Sequence, residues 1–382
     1  MADKIEIQSW GSRIKNALAG ILAGIVAIVL AIILTFWNER HGLHTALSLR
    51  EAQQALIQVP NSPVNPQNDL RVVYLTGVAT TQDHLVDQLL GLSVNAISLI
   101  RKVEMYQWKE EAKSRTEPQM GGSEKQVTSY SYKKVWSTTL IDSSSFNQPA
   151  HENPAAMPAQ SRQQYAKTVT VGDFVLSDDL IRKISKTSPM ELGKVDTAAL
   201  AEKINKPVHL VDNQLYGGED YQKPQIGDIR IEVMAIFPQA VSIIAQQHDN
   251  TLQGYMARAG ETILLLVSGQ QSADEMIQAA LSENRVTTWL LRAASLFIMI
   301  IGFLLLLKPL VVLADVIPFL GTMVGFGTGL VALICGFSLW AIVTAIAWFA
   351  TRPLWSAGLI IISLAIIYLL YRHRKNKATN LK

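Results

Sequence analysis

The stretch Asn16-Ala-Leu-Ala-Gly20-Ile-Leu-Ala-Gly24-Ile-Val-Ala-Ile-Val-Leu30-Ala-Ile-Ile-Leu-Thr35-Phe-Trp37 decides the class of fold. It carries no charge, and as a helix it supplies the roughly 20 apolar residues that a bilayer core requires. Arg13 and Lys15 precede it; Glu39 and Arg40 follow it. A cleaved signal peptide has a shorter apolar run that ends in small residues. This run ends in Phe36-Trp37-Asn38 and reads as an uncleaved anchor.

Three further apolar runs follow. Residues 286–307 contain Arg292, placed where its stem can snorkel to the interface, and Trp289, which suits an interfacial belt. From 316 to 350 no charge occurs, which is too long for one span. Pro318 and Gly321 break it, so the span falls at 321–348 and residues 308–320 form an interfacial connector. Residues 354–371 make the fourth span. The expected class is therefore a multi-pass α-helical membrane protein with four transmembrane helices and a large extramembrane α+β domain.

Basic residues set the orientation. Lys4, Arg13 and Lys15 lie in the N-terminal segment 1–15, Lys308 in the connector, and Arg372, Arg374, Lys375, Lys377 and Lys382 in the tail 372–382. The short outer loop 349–353 holds only Arg352. The positive-inside rule puts both termini in the cytosol. The domain 38–285 then faces the periplasm, or the lumen of an internal membrane. It has no Asn-x-Ser/Thr sequon, which weights towards a bacterial source. The net charge of +3 is too small to imply nucleic acid as a partner. Cys335, the one cysteine, lies in an apolar run, so the domain has no disulfide to rely on.

Within the domain, Ala46, Leu47, Leu49, Ala52, Ala55 and Leu56 recur at helical spacing as a stem. Residues 96–109 alternate: Ile100, Lys102, Glu104, Tyr106 and Trp108 on one face, Leu99, Arg101, Val103, Met105 and Gln107 on the other. Residues 127–138 alternate again beyond the bend Glu117-Pro-Gln-Met-Gly-Gly122, which suggests a long hairpin. Strands are expected at 71–76, 168–176, 208–211, 228–236 and 262–267, and short helices after Ser177 and at 197–204. The strands pair mostly antiparallel. Ser272-Ala-Asp-Glu275 is a capping box that opens a helix with no breaker before Gly302.

No catalytic constellation stands out, and no metal or cofactor is expected. His41 and His44 lie three apart beside Glu39, but the spacing does not recur, and interfacial polar residues account for it. Gly321, Gly325 and Gly329 give the third span a smooth face, and Gly20 and Gly24 repeat the pattern in the first; both suit close helix packing within one chain or between copies. Val324-Gly-Phe-Gly327 is similar to a potassium-filter loop, but Met323 stands where a filter has threonine. Asp315 is a polar membrane site, hydrated or paired with Lys308.

Several ordered segments together resemble the transmembrane protein 43 (LUMA) family. They are Phe36-Trp-Asn-Glu-Arg40, Val103-Glu-Met-Tyr-Gln-Trp-Lys-Glu110, Gly227-Asp-Ile-Arg230, Ser272-Ala-Asp-Glu-Met276, Lys308-Pro-Leu-Val-Val-Leu-Ala-Asp-Val-Ile-Pro-Phe-Leu-Gly321 and Trp348-Phe-Ala-Thr-Arg-Pro-Leu354. The resemblance implies four spans, cytosolic termini and a lumenal domain. It implies a scaffold of the endoplasmic reticulum and inner nuclear membrane in animals, or an inner-membrane protein in a prokaryote, with no catalytic residues. Asn38, Glu39, Arg40, Glu104, Tyr106 and Trp108 are the motif residues taken as interface features, with Asn38 to Arg40 at a helix exit. The expected function is a non-enzymatic, self-associating scaffold that sits in a lipid bilayer and binds other proteins. The alternative is an ion channel or channel modulator.

Overall fold

The computed structural model describes residues 3–349 and, beyond them, Gly358, Ile361, Ile362, Leu364, Ala365 and Tyr368. Its helices are α1 (Trp10–Ala55), α2 (Asp178–Lys183), α3 (Thr197–Ile204), α4 (Ala273–Ala314) and α5 (Pro318–Trp348). The chain forms two compact units. One comprises Ser48–Ala112 and Tyr130–Ala279; the other takes in the chain up to Leu47, Lys113–Ser129 and the residues from Ala280 on.

The first unit is α+β. Strand Ile229–Ile236 pairs antiparallel with the start of strand Ser98–Pro118 and with Gln214–Gly217, which pairs in turn with Val208–Val211. The turn between the last two strands uses Asp212 and Asn213 at φ 48° and 60°, a conformation that short polar side chains tolerate. Alternation puts Leu99, Val103 and Met105 inward, packed with Ile229, Ile231, Val233, Leu215 and Leu200 of α3. Asp196 caps α3, its carboxylate accepting from the amides of Ala198 and Ala199.

The centre of the second sheet is Gln239–His248, paired with Val72–Thr80 on one side and Leu265–Ser268 on the other. Val73, Leu75, Val241, Ile243 and Phe174 share a core with Leu180, Ile181 and Ile184 beside α2. The sequence reading lacks this central strand. Ser177 stands at the N-cap of α2 but its hydroxyl makes no capping bond; Asp178 and Asp179 supply negative charge to the first turn instead. The single strand expected at 262–267 is two short ones in different sheets.

Among the described residues, three helices are long and apolar enough to cross a membrane: α1, α4 and α5. Span and stem form one helix in α1. Helix α4 begins at the expected capping box, with Ser272 N–H donating to Glu275 Oε2 at 2.8 Å and Glu275 N–H to Ser272 Oγ at 3.3 Å. It runs through Lys308 and Pro309 to Ala314, so the surface connector at 308–320 is corrected to a helix end and the short turn Asp315–Val316–Ile317. Pro318 opens α5, where its missing N–H costs nothing. Residues 324–327 lie inside α5, their backbone in helix geometry, so they form no filter loop. The fourth span at 354–371 and the tail 372–382 fall largely outside the described residues.

Helices α1 and α4 run antiparallel and touch closely at mid-length. A Cβ added to Gly24 would lie 2.7 Å from Gly302 O, and one on Gly302 would lie 3.0 Å from Gly24 O. At Gly20 a Cβ would lie 4.0 Å from Leu305 O, an ordinary contact that does not demand glycine. A Cβ on Gly336 would lie 2.9 Å from the Ile300 side chain and 3.1 Å from its Cα. At Gly24, Gly302 and Gly336 only glycine permits the approach. Two members of the expected α5 stripe pack differently. Among the described residues, a Cβ on Gly325 would meet only Val311, at 3.6 Å, and one on Gly329 nothing within 4 Å.

The second unit also holds a strand absent from the sequence reading. Asp3–Gln8 pairs antiparallel with 124–129, from Asp3 opposite Ser129 to Gln8 opposite Glu124.

Candidate functional site

Charges inside apolar helices are costly unless paired, so their partners mark what the bundle is built around. Two clusters stand at opposite ends. At the first, Arg13 of α1 is 6% exposed and binds the Asp315 carboxylate, Glu124 Oε1 at 2.5 Å and the Gly122 carbonyl at 2.5 Å. Around it, Trp10 Nε1 donates to Val312 O at 3.0 Å, and Gly121 N–H donates to Val316 O at 3.1 Å. These donors satisfy carbonyls left free where α4 ends. A Cβ on Gly321 would overlap the Asp315 carboxylate, which explains a glycine there. Asp315 thus pairs with Arg13, not with Lys308, and is not left to water.

At the second cluster, Arg292 of α4 donates to both Glu39 oxygens, at 2.5 and 2.7 Å. Its guanidinium lies 4.6 Å from the Trp289 ring centre and 5.0 Å from that of Trp348. Trp348 Nε1 also donates to Glu39. The expected snorkelling of Arg292 gives way to burial in a planar, bidentate pair between aromatic rings. Asn38 Nδ2 donates to Thr288 O at 3.1 Å, and Asn284 Nδ2 to Gly42 O at 2.8 Å. Arg40 is exposed, and His41 stacks on Trp37 at 5.0 Å. The helix does not exit at Asn38–Arg40; Asn38 and Glu39 face α4 and hold it. At 1.5 Å per residue, α1 rises about 39 Å from Arg13 to Glu39, and α4 about 35 Å from Arg292 to Asp315. Both lengths lie between the ~30 Å of a hydrocarbon core and the ~45 Å of a whole bilayer.

The motif residues of the α+β unit form a third cluster. Arg230 Nε donates to Glu104 Oε2 at 2.6 Å and its guanidinium lies 4.8 Å over Trp136. Lys102 reaches Glu104 at 3.1 Å. Burial pushes the Glu104 carboxyl up, but hydrogen bonds from Arg230 and Lys102 outweigh it and hold the carboxyl below the usual glutamate value. Tyr106 and Asp228 are locked by backbone, with Tyr106 N–H donating to Asp228 O at 2.7 Å and Gly227 N–H to Tyr106 O at 2.8 Å. Asp228 also accepts from Tyr216 at 2.6 Å, from the Gln225 amide at 2.8 Å and from Lys206 at 3.3 Å. Burial, then that bond to Asp228, pushes the Tyr216 phenol well above its ordinary value. Trp108 packs edge-on against His151, which stacks on Tyr132 at 3.8 Å.

The sequence picked Asn38, Glu39, Glu104 and Asp315 but missed their partners. Arg13 and Arg292 entered only as a topology mark and a snorkelling stem. The usable signal was a charge near an end of one apolar run matched by the opposite sign in another.

Apolar helices long enough to cross a bilayer, packed on glycines and pinned by buried ion pairs, together with a strand-rich α+β unit, define a membrane protein. The family model described as Transmembrane protein 43 matches residues 105–353. Human Transmembrane protein 43 is 32% identical over 364 residues, covering 91% of this chain and 88% of its own. The mouse protein is 33% identical, covering 85% and 82%, and a Drosophila melanogaster homolog is 25% identical, covering 85% and 87%. This chain belongs to the transmembrane protein 43 family. No solved structure matches it.

Proposed function

We propose that the protein is a non-enzymatic membrane scaffold of four spans. It self-associates through the Gly329 face of α5 and binds other proteins through its α+β unit. The carrying observation is the contrast between two sets of glycines. Gly24, Gly302 and Gly336 are closed against other helices, whereas Gly329 has nothing within 4 Å among the described residues and is flanked by exposed Met323, Phe326 and Leu330. A smooth face of this kind suits close contact with a second copy. The non-enzymatic reading is supported by where buried charge goes: Arg101 binds Asp87, Lys206 binds Asp228 and Arg292 binds Glu39. The expected fourth span at 354–371, largely outside the described residues, belongs to this reading, as does the cytosolic placement of both termini by the positive-inside rule.

Chemical cross-linking in native membranes tests the reading. Gly329→Ile is expected to remove the cross-linked species while the monomer stays folded. An unchanged cross-linked species overturns association through this face.

A further inference from the structure

On the reading that the chain self-associates, we infer that the free edge of strand Val208–Val211 pairs antiparallel with the same edge of a second copy, with His209 opposite His209. This contact is distinct from the Gly329 face. The strand is the last in its sheet. It pairs with Gln214–Gly217 on one side, and no strand among the described residues lies on the other. The hairpin fixes which backbone groups face outward. Gly218 N–H donates to Pro207 O at 2.9 Å, and hydrogen-bonded positions alternate along an antiparallel pair. Residues 207, 209 and 211 therefore turn their backbone groups to the neighbouring strand, and Val208 and Leu210 turn theirs to the free side. The two-residue turn at Asp212 and Asn213, with φ 48° and 60°, closes the hairpin on the same alternation.

Sheet edges are usually guarded by charge, proline or a bulge. This one carries no Lys, Arg, Asp or Glu from Pro207 to Val211, and Leu210 is 44% exposed. Pro207 is no guard, because the N–H it lacks would point into the sheet. The edge complements itself in one register. With His209 on the two-fold axis, the N–H and C=O of Val208 in one copy meet those of Leu210 in the other, and every outward group is satisfied. A shift of one residue sets outward groups against inward ones, and a shift of two leaves some unpaired. The side chains agree with that register. Val208 packs against the core, and Leu210, opposite Leu215, continues the same face past the edge. Leu210 of each copy then covers Val208 of the other. Exposed Asp212 of one copy comes beside Lys206 of the other at both ends; Lys206 reaches Asp228 at 3.3 Å and stays 27% exposed. A strand of another protein would have to bring the same alternation and the same end charges, which a second copy has by construction. So short a ladder does not hold free domains together; anchoring both copies in one bilayer supplies the effective concentration.

The test uses the full chain with Cys335→Ser, oxidised mildly in native membranes. Residues opposite each other at a non-hydrogen-bonded position have Cα atoms about 4.5 Å apart, within reach of a disulfide. His209→Cys is therefore expected to give a disulfide-linked dimer. Asp249→Cys, exposed at a turn of the other sheet, is expected to stay monomeric. Adding Leu210→Pro to His209→Cys removes an outward N–H that the fold does not use, and is expected to slow dimer formation about tenfold. Leu210→Lys, which keeps the backbone and sets a cation over Val208, is expected to slow it as well. An unchanged rate in either variant, with the protein still monodisperse, overturns the inference. Equal rates for His209→Cys and Asp249→Cys make collision the cause and overturn it too. No His209→Cys dimer, while a chemical cross-linker still captures a species that Gly329→Ile removes, overturns the inference and leaves self-association standing. No linked species of either kind overturns both.

Discussion

Glu39–Arg292 and Glu104–Arg230 are the same chemical pair, each set against tryptophan, in two different surroundings. In the helix bundle the carboxylate and guanidinium are 6% and 8% exposed; in the sheet they are 13% and 33% exposed. Arg292 is enclosed by two indole rings, and a third donor, Trp348 Nε1, closes on Glu39. Arg230 covers one face of Trp136, and Glu104 is shared with the half-exposed Lys102. Identical groups therefore carry different structural weight, because water can replace a lost partner in the sheet and cannot at the end of the bundle. The largest expected effect follows. Arg292→Met leaves Glu39 buried without a cation, at a cost of about 3–5 kcal/mol. Thermal unfolding in detergent reads this as a large fall in midpoint. Adding Glu39→Leu to it removes the stranded charge and is expected to restore most of the loss. A double variant as unstable as the single one breaks the comparison.

Arg13 stands between these extremes. It is as buried as Arg292, but its partner Glu124 is 25% exposed and sits near the tip of a hairpin. Arg13→Gln is expected to cost about 1.5–3 kcal/mol, the range for hydrogen bonds to charged groups. Its signature is local: amide exchange should rise in 3–8 and 119–129 and stay unchanged in the strand Ile229–Ile236. A uniform rise throughout the protein would place Arg13 with Arg292 as a support of the whole fold.

How legible these features are in the sequence follows from the range over which their causes act. Helix α3, the capping box at Ser272 and the alternation from Leu99 to Trp108 depend on neighbours a few residues away, and the sequence reading places all three. The strand Gln239–His248 begins just after Phe237-Pro238, and Ser242, Gln246 and Gln247 interrupt its apolar pattern. Its buried Ser242 is satisfied by the Gly269 carbonyl and the Gln271 amide, which no local pattern reveals. The strand Asp3–Gln8 alternates well but is exposed, and it exists only because 124–129 pairs with it. Glycine spacing shows where a helix is smooth. Which smooth face is used depends on the partner helix, as Gly24 against Gly302, and Gly329 with nothing within 4 Å among the described residues, make plain. The end clusters were half legible, since each joins residues hundreds of positions apart.

The smallest effect belongs to the sheet pair, and its conditions sharpen the contrast most. Glu104→Gln is expected to cost at most about 1 kcal/mol at neutral pH, because a partly hydrated pair is worth little. Salt should shrink that difference further, since a Debye length of about 3 Å at 1 M screens a hydrated pair. The pH dependence has a definite sign. The Glu104 carboxyl is held below its ordinary value by Arg230 and Lys102 against the upward push of burial. Its contribution is therefore complete above the ordinary glutamate pKa of about 4.3 and is lost as pH falls through the depressed folded value. Chemical unfolding of the two proteins should give a constant difference from neutral pH down to that point and convergence below it. The Glu39–Arg292 pair, closed to ions by Trp289 and Trp348, should keep its contribution in 1 M salt. A salt-sensitive Arg292→Met effect would mean that water reaches this cluster, and burial would no longer separate the two pairs.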